Sequence, residues 1–141
     1  MEVNQSRAHY TGVTICDDIP CRETIEEGQV MHFKAFADLA SGPSHLKVEL
    51  RVSSPPDAQP VLYMATEQSY PNAGNCVWMA HAHQGISSYK TLTISNRDPH
   101  AITGWYYMTV MVNANVPTTF TLRATLHVED MQRGRQRGGV S

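Results

Sequence analysis

Few side chains in this sequence have the type and spacing for chemistry. His81 and His83 are two apart on an expected strand and would point the same way, an arrangement that could hold zinc or copper. A metal needs a third donor, which His32 or His127 could supply only through the fold. Ser87-Ser88-Tyr89-Lys90 matches the Ser-x-x-Lys spacing of penicillin-recognising enzymes, which works when a helix start brings hydroxyl and amine together. Here the segment leads into a strand, which sends Ser87 and Lys90 to opposite faces. No Gly-x-Ser-x-Gly, Gly-x-x-x-x-Gly-Lys or His-Glu-x-x-His motif is present, and Glu26-Glu27 falls in a turn. The residues offer no foothold for enzyme catalysis.

Three cysteines are present, Cys16, Cys21 and Cys76. Cys16 and Cys21 bracket Asp17-Asp18-Ile19-Pro20 closely enough to close a small loop. In an extracellular protein that pair is the disulfide candidate and Cys76 is left over; in a cytoplasmic one all three are thiols. The aromatic residues suggest binding instead. Tyr70, Trp78 and Tyr106 are the candidate ligand-binding rings, because flat side chains give contact area at little entropic cost. Tyr70 and Trp78 are joined by a polar Pro/Asn/Gly loop, and Trp105 and Tyr107 share the face opposite Tyr106.

Such rings need strands to hold them. Across Thr118 to Val128, Phe120, Leu122, Ala124, Leu126 and Val128 alternate with Thr119, Thr121, Arg123, Thr125 and His127, the period of a strand with one face buried. Gly104 to Val112 precedes it, and the turn Asn113-Ala114-Asn115-Val116-Pro117 makes the two a closing antiparallel hairpin. Leu46, Val48, Leu50 and Val52 alternate with Lys47, Glu49, Arg51 and Ser53. Val30 to Asp38 carries Met31, Phe33, Ala35 and Ala37 on one face. Val61 to Thr66 reads as a strand buried on both faces, Cys76 to Ala80 and Tyr89 to Ser95 as further strands, and Ala8 to Cys16 as a short first one. No stretch carries a capped helical period. About eight strands with frequent turns predict an all-β, antiparallel, two-sheet β-sandwich of jelly-roll type.

The chain has 141 residues, 41% hydrophobic and 17% charged, which is enough for one continuous core. Residues 1–6 are expected to be a disordered end, 7–130 the sandwich domain, and 131–141 a flexible Arg/Gly-rich tail. Asn4-Gln5-Ser6, in that first end, fits a glycosylation acceptor. The net charge is −2, and Arg133, Arg135 and Arg137 all lie in the tail, so the body is more acidic still. That charge argues against nucleic-acid binding, and the tail reads as a linker. No apolar run approaches the ~20 residues of a membrane helix, so no membrane insertion is expected.

The order of motifs resembles the bacterial pre-peptidase C-terminal (PPC) domain. Thr24 to Phe33 is similar to its strand, Glu-Gly turn and aromatic strand; Leu46 to Leu50 to the next; Pro60 to Ala65 to its Asp-Leu-Tyr-Val strand. Leu92-Thr93-Ile94, Gly104 to Val110 and Thr119 to Leu122 resemble its closing signature. The resemblance implies a non-catalytic accessory module of a larger exported or surface protein. Such a module would bind protein or glycan through loops or a sheet face, or pack against neighbouring domains. It also implies an extracellular or cell-surface location. Some relatives bind calcium through a carboxylate ahead of the Leu-Tyr pair; here Gln59-Pro60-Val61 stands there, and neutral ligands suit a hard dication poorly. Asp17, Asp18 and Glu23 are the alternative acidic cluster, so no cofactor is expected beyond calcium at that cluster. The rival functions are a structural spacer making homotypic or interdomain contacts, and a His-based metal protein.

Overall fold

The computed structural model describes residues 10–56, 58–81 and 88–129. The ends at 1–6 and 131–141, the Asn4-Gln5-Ser6 acceptor, His83 and Ser87 lie outside these residues. Nine strands are described: β1 (Val13–Thr14), β2 (Cys21–Ile25), β3 (Val30–Asp38), β4 (Ser44–Ser54), β5 (Gln59–Ala65), β6 (Trp78–His81), β7 (Tyr89–Ser95), β8 (Thr103–Asn113) and β9 (Thr118–Val128). They form a five-stranded sheet in the order β1-β3-β8-β5-β6 and a four-stranded sheet in the order β2-β9-β4-β7. The chain is an all-β, two-sheet sandwich. Every pairing is antiparallel except that of the short β1, which runs parallel to β3.

The alternating residues close the core between the layers. Leu46, Val48, Leu50 and Val52 from β4 meet Phe120, Leu122 and Ala124 from β9 in one wall. Phe33, Ala35 and Ala37 from β3 and Tyr106, Met108 and Val110 from β8 form the other. Phe33 and Phe120 touch edge-to-face across the layers at 6.0 Å. In β5, Leu62, Tyr63, Met64 and Ala65 are all buried, in keeping with a strand covered on both faces.

The closing hairpin is not formed. β8 pairs with β3 and β5, whereas β9 pairs with β2 and β4, so the Asn113–Pro117 connection crosses from one sheet to the other. Ala114 packs against the core on the way. Both strands alternate toward the same interior, and an Asn/Pro-rich loop serves a sheet-to-sheet corner as well as a tight turn.

Candidate functional site

The outer face of the five-stranded sheet carries aromatic side chains. Period-two alternation sends His32, Lys34 and Phe36 of β3 outward, and Trp105, Tyr107 and Thr109 of β8 with them. The register sets Phe36 beside Trp105, Lys34 beside Tyr107 and His32 beside Thr109. Phe36 is 55% exposed and meets Trp105 edge-on at 5.6 Å. The Lys34 ammonium lies 4.3 Å from the Trp105 ring centre and 4.9 Å from that of Tyr10, within range of an attractive cation–π contact.

Two segments fold over this face. Tyr10 stacks on Tyr70 at 5.3 Å with the rings 12° from parallel, and approaches Tyr107 at 5.7 Å. The Tyr70 oxygen accepts the Thr11 N–H at 3.1 Å and shares a hydrogen bond with the Thr11 hydroxyl at 3.0 Å. Those bonds lower the Tyr70 pKa, with a smaller push from Lys34. The loop that carries Tyr70 is braced by Asn72, whose side-chain oxygen accepts the Gly74 and Asn75 N–H groups, and Pro71 is buried beneath it. His32 meets the Tyr70 ring edge-on at 4.8 Å and bonds Thr109 Oγ1 through Nδ1 at 2.9 Å. Partial burial lowers its pKa, which favours the neutral ring at pH 7. The Tyr10 hydroxyl is buried without a hydrogen-bond partner among the described residues, and burial raises its pKa strongly.

Of the three rings expected to bind ligand, only Tyr70 belongs to this cluster. Trp78 points the other way, into the end of the sandwich. Its indole N–H donates to Asp98 Oδ2 at 2.9 Å, and the ring lies 6.0 Å from Tyr106 and 6.4 Å from His100. Tyr106 is fully buried, which removes it from any surface site. Its hydroxyl donates to the Ile102 carbonyl at 2.7 Å and accepts the Ile102 N–H at 2.8 Å, closing the corner into β8. Tyr10, Lys34, Phe36 and Tyr107 were not anticipated as site residues. The available signal was the polar-aromatic face of Val30 to Asp38, read only for its buried side.

The acidic cluster does not assemble. Asp17 Oδ1 accepts the Leu126 N–H at 2.7 Å, and Asp18 Oδ1 accepts the Thr125 hydroxyl at 3.1 Å, so both carboxylates bond to β9 past the end of β2. Glu23 faces the Cys21 sulfur instead. Among the described residues no three His, Cys, Asp or Glu side chains converge as metal ligands. His32 and His127 lie on opposite sheets, so no more than one of them could join the His81 and His83 pair, of which His83 lies outside the described residues; His127 stacks on its cross-strand neighbour His45 at 4.8 Å. The disulfide between Cys16 and Cys21 is not formed; both are free thiols. Cys16 is exposed in the turn, while Cys21 begins β2 opposite Leu122, its thiol pKa raised by burial and by Glu23.

The outer face of the four-stranded sheet is of another kind. Glu49 takes the Tyr89 hydroxyl at 2.7 Å and ion pairs from Lys47 and Arg123, and Arg51 lies over the Tyr89 ring. Its charges answer one another. At one end an open polar cleft of about 710 Å³ is lined by Ser44, His45, Asn96, Arg97 and His127 among others.

No protein-family model matches the sequence, and no curated protein matches it significantly. Solved structures do match. The pre-peptidase C-terminal domain of a Bacillus anthracis collagenase aligns over 83% of this chain and 97% of its own, at 12% identity and a TM-score of 0.56. The periplasmic g-type lysozyme inhibitor PliG of Aeromonas hydrophila aligns over 80% and 96% at 9% identity with a TM-score of 0.47, and that of Salmonella Typhimurium over 82% and 99% at 12% identity with 0.42. The first of these gives the chain the fold of a PPC domain, as its strand motifs suggested.

Proposed function

We propose that this sandwich is a non-catalytic binding module of an exported or surface protein. Its ligand, a protein or glycan, would lie on the outer face of the five-stranded sheet. One observation carries the reading: Phe36, Trp105, Tyr107, Tyr10 and Tyr70 line that face, with Phe36 55% and Tyr70 39% exposed. Aromatic rings dominate binding surfaces because each offers a large rigid contact. Among the described residues the opposite sheet, with its mutually paired charges, offers no comparable cluster of rings. The PPC fold supports the accessory role, and the matching domain comes from a collagenase, which puts collagen in the first panel of ligands.

The test is a binding panel of fibrillar collagen, gelatin and soluble polysaccharides against the protein and two double variants. Phe36→Ser with Trp105→Ser is expected to weaken binding at least about tenfold, or about 1.4 kcal/mol. Glu49→Gln with Arg123→Gln, on the other sheet, is expected to leave binding unchanged. Equal loss in both pairs would remove the aromatic face from the reading. The exposed Phe36 also favours a second role, a spacer that meets a copy of itself or a neighbouring domain. That role predicts a mass that rises with concentration and falls back in the Phe36→Ser variant.

A further inference from the structure

β3 has an edge that the short β1 covers only in part. It pairs with β8 along its full length, Val30 to Asp38, but on its other side β1 pairs only at Phe33 and Lys34. The chain then leaves this sheet. Ile15 donates its N–H to the Lys34 carbonyl at 2.9 Å, and by Asp18 the backbone bonds to Ala124 in the other sheet. From Ala35 to Asp38 the edge therefore has no strand neighbour among the described residues.

The direction of that edge follows from the Lys34 bond. Backbone groups of alternate strand residues face the same side, so the N–H and C=O of Phe36 and Asp38 face the side where β1 ended. Unpaired edges of this kind are templates for another strand, and proteins usually blunt them with charge, proline or cover. Here the outward side chains beside the edge are Phe36, more than half exposed, and Asp38, whose carboxylate accepts the Thr103 hydroxyl. A glycan's hydroxyls donate and accept but cannot repeat a strand's spacing of N–H and C=O groups along such an edge. An extended peptide can.

Resting on the reading of this face as the binding surface, we infer that the open β3 edge takes an extended segment of a protein partner, added as a strand against Phe36 and Asp38. An aromatic or branched apolar side chain of that segment lies beside Phe36, and a basic one, two residues on, lies beside Asp38.

The probe is the synthetic peptide acetyl-Thr-Val-Thr-Tyr-Thr-Arg-Thr-amide, with a twin N-methylated on alternate amides. Amide hydrogen exchange and NMR are read on the full chain. The peptide is expected to slow exchange at Phe36 and Asp38 by about tenfold at saturation, and the twin to leave it unchanged. Phe36→Pro removes an N–H on the open side, where an edge strand tolerates proline, and is expected to abolish the protection at Asp38. Phe36→Thr keeps the N–H and is expected to weaken binding without abolishing it, which covers the case in which the proline variant does not fold. A shifted Trp105 indole signal with no slowing at Phe36 and Asp38 would overturn strand addition while leaving the aromatic face as a binding surface. No response at Trp105, Phe36 or Asp38 would overturn strand addition; the collagen and polysaccharide panel then decides the face itself. A response to cellohexaose or chitohexaose but not to the peptide would make the occupant a glycan and overturn the inference.

Discussion

Two tyrosines show how one hydroxyl can stabilise or destabilise the same fold. The Tyr106 hydroxyl is buried and makes two bonds to the backbone of Ile102, one as donor and one as acceptor. Tyr106→Phe strands both backbone groups at the corner into β8. The expected cost is about 1–3 kcal/mol, read as a lowered urea midpoint with unchanged slope. The Tyr10 hydroxyl is buried with no partner among the described residues. Tyr10→Phe discards a desolvated polar group and keeps the ring stacked on Tyr70, so stability is expected to rise by up to about 1 kcal/mol. A drop in midpoint for Tyr10→Phe comparable to that of Tyr106→Phe would show that the Tyr10 hydroxyl has a partner after all.

At the level of elements, the N-terminal strap depends on a close approach that only glycine permits. A Cβ on Gly12 would lie 2.6 Å from the His32 carbonyl oxygen and 2.6 Å from the Tyr10 ring. Gly12→Ala is therefore expected to push Tyr10 off Tyr70 while the sandwich persists: NMR ring shifts of Tyr10, Tyr70 and Tyr107 move, and the core methyl signals of Leu50 and Leu122 stay. The same element marks where reading the sequence succeeds and stops. Val30 to Asp38, Tyr89 to Ser95 and Thr118 to Val128 were legible to the residue because period-two alternation is local. The choice of sheet was not legible. β8 and β9 bury the same kind of face, and only long-range pairing with β3 or β4 separates a hairpin from a crossing. Tyr70 was legible as an aromatic residue on an exposed loop. Trp78 and Tyr106 were misplaced because a strand's parity, not its composition, decides which ring is buried; Met108 and Val110 share the parity of Tyr106. The meeting of Tyr10 with Lys34 was out of reach, since it rests on a parallel pairing of two residues.

Across the molecule as a whole, one described sheet face carries rings and the other paired charges, and the shifted titratable groups lead us to expect greatest stability near neutrality. His32 has a lowered pKa because burial disfavours its charged form. Asp38, Glu49 and Asp98 are also lowered, chiefly by hydrogen bonds from Thr103, Tyr89 and Trp78 respectively. Below their ordinary values the unfolded chain binds more protons than the folded one at each of these groups, so stability falls as pH falls. The loss comes in two stages, His32 from about pH 6.5 and the carboxylates from about pH 4. On the alkaline side Cys21, Tyr10 and Tyr106 are raised, each chiefly by burial, so the folded chain keeps protons that the unfolded chain releases. Stability then falls again from about pH 8.5 upward. Urea midpoints measured across this range are expected to form a dome with its top near pH 7 to 8. His32→Gln keeps a side chain able to bond Thr109 and removes only the first acid stage. If that variant still weakened between about pH 6.5 and 5, a group other than His32 would govern the step.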